Sequence, residues 1–130
     1  MNPTVQHTFT PANIRYLVAL RQLSGDRGGV RCTDLARRLN VAKPSVHTMV
    51  HSLCQMELVT RERYGMIYLT DAGRAAAARY AGSLPPLCRR LRQALGLDES
   101  ACENAAYLLL AQIPELAPDL PPEEVPQALN

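Results

Sequence analysis

One short run of this chain places hydrogen-bonding side chains along a single side of a helix. Ser45, Thr48, His51, Ser52 and Gln55 fall together at about 100° per residue, with Lys43 at the N-terminal end and Pro44 and His47 beside them. These side chains are short, polar and mostly uncharged, whereas a merely solvated face more often carries Glu and Lys. Such a face suits a major groove, where it donates and accepts at base edges without repelling phosphates. Arg61, Arg63 and Tyr64 follow, two of them cations suited to phosphate oxygens. The plainer alternative is an ordinary polar surface helix, and the basic hairpin that follows weighs against it. His47 and His51 also have the i, i+4 spacing of metal ligands on a helix. With no acidic partner near them in sequence, DNA contact or solvation is the preferred reading.

The elements that must hold these residues span 33–70. Thr33 is the expected cap of a short helix whose apolar face is Leu35, Ala36 and Leu39. Asn40 suits a left-handed stop, after which Val41 is expected to pack inward. Pro44 fits the first turn of the next helix, and Val46, Met49, Val50, Leu53 and Cys54 form its apolar stripe. Leu58–Arg63 and Met66–Leu69, joined by a Tyr64-Gly65 turn, read as a two-stranded hairpin. The expected fold is mainly α: a winged helix-turn-helix with a two-stranded wing, followed by a helical dimerisation region. The expected divisions are a DNA-binding domain at 1–70, the helical region at 71–113 and a flexible acidic, proline-rich tail at 114–130.

The run DLARRLNVAKPSVHTMVHSLCQMELVTRERYGMIYLTDAG, residues 34–73, resembles the DNA-binding domain of the DtxR/MntR family of metal-dependent bacterial repressors. D-L-A, P-S-V, M-V, the L-V strand start, R-Y-G and L-T-D-A-G occur in order and without gaps. The resemblance is strong over about forty residues and weaker over 10–113. It implies a bacterial transcription regulator that uses manganese or iron, here in a short form without the family's C-terminal SH3-like domain. The ligand positions that the resemblance implies fall at Arg15, Val18, Pro85, Tyr107, Leu110 and Ala111. None supplies the carboxylate oxygen or imidazole nitrogen that a hard divalent cation requires. The expectation is therefore no metal cofactor, with Cys88, Cys102 and Glu103 as the alternative, a displaced site for a softer metal such as zinc.

Composition bounds the rest. The chain has 130 residues, 47% of them hydrophobic, enough for one compact core, and no run long enough for a membrane span. The N-terminus lacks the regions of a signal peptide, which makes the cytoplasm the expected location. Positions 1–92 hold 14 basic and 5 acidic residues, a net charge of +9, and 93–130 hold 7 acids and no base. A basic first part points to a polyanionic partner such as double-stranded DNA. Cys32, Cys54, Cys88 and Cys102 have no zinc-ribbon or redox-pair spacing, and Cys54 reads as a small core residue.

Elsewhere, residues 1–10 read as a flexible arm, and Thr10-Pro11 starts a helix ending near Ser24. The glycine-rich loop after it lacks the G-K-[ST] of a phosphate cradle and is read as a plain connection. Thr70 and Asp71 open a third long segment, in which Gly82 to Pro86 predicts a kink or break. Asp98 caps a last helix ending before Pro114. Its run AAYLLLA, apolar for seven residues, asks for cover on both sides, which assigns Tyr107, Leu108, Leu109 and Leu110 to a homodimer interface. No nucleophile motif or cofactor fingerprint supports an enzyme. Two other functions stand beside a DNA-binding regulator: a winged-helix adaptor for protein partners, and a MarR-like regulator responding to another effector.

Overall fold

The computed structural model describes residues 8–25 and 27–118. Helix α1 (Pro11–Ser24) begins where Thr10 and Asn13 exchange hydrogen bonds, each side chain capping the other's backbone N–H at 3.0 and 2.9 Å. This satisfies two N-terminal donors that would otherwise lack partners. Ile14, Tyr16, Leu17, Val18, Ala19 and Leu20 are all buried, so α1 is the central post of the molecule. Helix α2 (Cys32–Leu39) is capped by Arg31 with no side-chain bond, and Thr33 lies inside the helix instead of capping it. Asn40 adopts the expected left-handed conformation at φ 58° and ψ 50°. Val41, however, is 38% exposed, because the turn runs along the surface before α3 (Lys43–Gln55) begins.

The wing comprises β1 (Val59–Arg61) and β2 (Ile67–Leu69), antiparallel in the register Val59 to Leu69 and Arg61 to Ile67. Its connection is longer than a two-residue turn. Arg63–Gly65 forms a 3-10 turn with Tyr64 at φ 70°, closed by hydrogen bonds between Glu62 and both Gly65 and Met66. Val30 bridges Ile67 through two 2.9 Å backbone bonds, adding a third strand position that the hairpin pattern did not announce. A Cβ at Gly29 would lie 2.7 Å from the end of the Tyr68 ring, so a larger residue there would have to push the Tyr68 and Met66 side chains aside.

Helix α4 (Asp71–Leu95) opens at Thr70, whose hydroxyl accepts from the Gly73 N–H at 2.9 Å and donates to the Glu57 carbonyl at 2.8 Å. Of the expected kink or break, no break occurs: Pro85 and Pro86 lie inside one helix of 25 residues. Tyr80 and Leu84 are buried on that helix, and Leu87, Cys88 and Leu91 pack against the core. Burial of this face offsets the backbone bonds that the two prolines forgo, at about 3 kcal/mol for a typical interior proline. Helix α5 (Glu99–Gln112) starts at Asp98, whose carboxylate accepts from the Ala101 N–H at 2.8 Å.

α1 packs against α2, α4 and α5, and α4 against α5, so a single core joins the wing end to the last helix. The division expected at residue 70 does not divide this core. The ends are also more ordered than expected where they are described. Phe9 is buried edge-on to Tyr80 with ring centroids 5.7 Å apart, and a 3-10 turn at Pro114–Leu116 leads to buried Ala117. The remainders of the expected arm and tail, 1–7 and 119–130, lie outside the described residues. Among the described residues no helix is long and apolar enough to cross a membrane.

Candidate nucleic-acid interface

Helix α3 is held by its apolar side. Val46, Val50 and Leu53 are fully buried, while Met49 and Cys54 are half-buried against the same core. Lys43, Pro44, Ser45, His47, Thr48, His51 and Gln55 are exposed, and Ser52 is half-buried. The helical periodicity thus brings the sequence-selected residues onto an open surface. Thr48 donates to the Pro44 carbonyl at 3.1 Å, which leaves its oxygen lone pairs outward. At the edge of this face Asn13, buried, donates from Nδ2 to the Met49 sulfur at 3.1 Å, tying α1 to the recognition helix.

The wing reaches the same face. Arg61 donates from Nη2 to His47 Nδ1 at 3.0 Å and lies 3.4 Å from the Cys32 sulfur. One guanidinium therefore joins β1, α3 and α2, a contact between distant segments that the sequence pattern did not signal. An acceptor lone pair at Nδ1 puts the imidazole hydrogen on Nε2, where it remains a donor. Arg63 is exposed at the wing tip, and Tyr64 beside it is 93% exposed. Lys43 at the start of α3 and Arg61 and Arg63 on the wing add positive charge to these elements.

The positions where the resemblance places metal ligands hold a different arrangement. The Arg15 guanidinium lies over the Tyr107 ring, 4.3 Å from its centroid, and donates to Asn104 Oδ1. Val18 and Leu110 are buried apolar residues, Pro85 is exposed and Ala111 is half-buried. A fixed cation and hydrocarbon do not fit a hard divalent ion. Among the described residues no three His, Cys, Asp or Glu side chains come together as a metal site, so Cys88, Cys102 and Glu103 do not assemble the displaced one. Burial, and after it Glu103, pushes the Cys88 thiol upward, away from the thiolate that metal binding and redox chemistry need.

The proposed dimer residues divide. Tyr107 and Leu110, 6% and 0% exposed, are covered by α1 and α4 of their own chain and are not available to a partner. Most of the AAYLLLA run is thus used within the monomer. Leu108 is 60% exposed and Leu109 half-buried.

A helix-turn-helix with an open polar recognition helix and a basic wing defines a winged-helix DNA-binding domain. Residues 9–67 match the family described as iron dependent repressor, N-terminal DNA binding domain. The fold is shared with IdeR of T. acidophilum, at 20% identity and a TM-score of 0.60 over 86% of this chain and 50% of that one. The manganese regulator SloR matches at 22% and 0.66, over 81% of this chain and 48% of its own. The hypothetical protein SSo2273 from Sulfolobus solfataricus matches at 19% and 0.56, over 85% and 81%. This chain therefore spans about half the length of IdeR and of SloR.

Proposed function

We propose that this chain is a sequence-specific DNA-binding transcription regulator, a repressor, that acts in the cytoplasm as a homodimer without a metal cofactor. The observation that carries this reading is the joining of α3 and the wing by Arg61, which sets an uncharged polar face and basic side chains on one surface. Base edges would be read by Ser45, Thr48, His51, Ser52 and Gln55, and phosphates held by Lys43, Arg61 and Arg63. Metal independence is supported by the Arg15–Tyr107–Asn104 contact. It links α1 to α5 through a guanidinium, whose N–H groups donate and offer no lone pair to a metal ion. Dimerisation through the helices after the wing is supported by the open apolar side chains there, Leu95, Leu108, Ile113 and Leu116.

A mobility-shift assay on fragments from upstream of the chain's own gene tests the reading. Retardation of a particular fragment against excess unrelated DNA, weakening steeply with salt, is the expected result. Equal binding to every fragment, or none to any, would contradict it.

A further inference from the structure

Between α1, α4 and α5 lies a cavity of about 340 Å³, apart from the recognition surface. Its volume is at the small end of the roughly 300–1,000 Å³ typical of metabolite sites. Val18, Leu84 and the ring of Tyr107 give it an apolar floor, and all three are buried. Its walls carry opposite charges. Arg89 and Arg92, three apart on α4, line it together with Glu99 and Glu103, four apart on α5. These spacings put each pair on one side of its helix.

The two walls do not neutralise each other. Among the described residues the only ion pairs are Arg37–Asp34 and Arg74–Asp71, so neither arginine reaches either glutamate. The Tyr107 hydroxyl makes no hydrogen bond with a described residue although the residue is nine-tenths buried, and its burial favours the neutral phenol. Cys88, also lining the cavity, is kept a neutral thiol chiefly by burial. A simple anion would meet the two glutamates, and a simple cation the two arginines. A molecule carrying both charges on a small apolar body satisfies both walls and the floor.

We propose that this cavity binds a free amino acid with an apolar side chain. Its carboxylate pairs with Arg89 and Arg92, its ammonium with Glu99 and Glu103, and its side chain rests on Val18, Leu84 and Tyr107. An occupant would tie α1, which carries the Asn13 contact to the recognition helix, to α4 and α5. Binding itself does not depend on the DNA-binding reading and is measured without DNA.

The test is calorimetric titration of the full chain with the proteinogenic L-amino acids at millimolar concentration. Isopentylamine and 4-methylpentanoate serve as leucine analogues lacking one charge each. The expected result is saturable binding of at least one aliphatic amino acid, weakened about tenfold or more in both single-charge analogues. Arg92→Glu and Glu103→Lys, both exposed positions, should each weaken binding by a similar factor, with circular dichroism unchanged. Binding of no amino acid would overturn the proposal. So would equal binding of either analogue, or binding that survives both charge reversals.

Discussion

Arg61 shows how one side chain can set the chemistry of its neighbour. By donating to His47 Nδ1 it fixes which ring nitrogen carries hydrogen, and so what His47 offers a ligand. Arg61→Ala and Arg63→Ala should weaken binding to all DNA sequences alike and lower the salt dependence by about one counterion each. Thr48→Ala and His51→Ala should instead relax preference at particular base pairs, by about 1–3 kcal/mol for a good contact. Affinities on a preferred and a scrambled site at several salt concentrations distinguish the two patterns. If all four variants bind the preferred site like wild type, the surface is not a DNA interface. The polar face of α3 was legible in the sequence because helical spacing is local. The Arg61–His47 contact was not, since the wing's path places it and no spacing rule encodes that path.

At the scale of elements, α4 departs furthest from its local signals. A Gly82–Pro86 stretch reads as a kink or break, yet the helix is unbroken and Tyr80, Leu84 and Leu87 bury a face that continues through it. If packing imposes the helix, Pro86→Ala restores a backbone donor at an exposed position. The variant should be more stable by about 1–2 kcal/mol, less than the full proline cost because alanine also loosens the unfolded chain. A lower midpoint in urea would show that the helix needs the proline. Gly73 is the opposite case. A Cβ there would sit 1.9 Å from the Leu58 carbonyl oxygen, where α4 crosses the start of the wing. Gly73→Ala should therefore destabilise by about 1–3 kcal/mol or more, read in the same experiment. Caps at Thr10, Thr70 and Asp98 were readable because each acts over three residues. The misassigned cap at Thr33 and the open Val41 depend on how α2 and its turn sit against the rest.

For the whole molecule, one core runs from α1 through the wing to α5, so the helices after the wing form part of the body that holds the recognition helix. The AAYLLLA run overstated the apolar surface left for a partner, because sequence shows hydrophobicity without showing which neighbour covers it. The surviving dimer prediction is that Leu108→Glu shifts a sedimenting dimer toward monomer by burying an unpaired charge, with the fold intact. Leu110→Ala, by contrast, should cost about 2–5 kcal/mol of stability as a core truncation. Joining of the two ends also bears on regulation. Arg15, set over the Tyr107 ring, links α1 to α5. The most direct test is a titration of DNA affinity in EDTA and again with added manganese or iron. The account predicts the same dissociation constant in all three conditions. A loss of affinity of tenfold or more on chelation, about 1.4 kcal/mol, restored by metal, would contradict it.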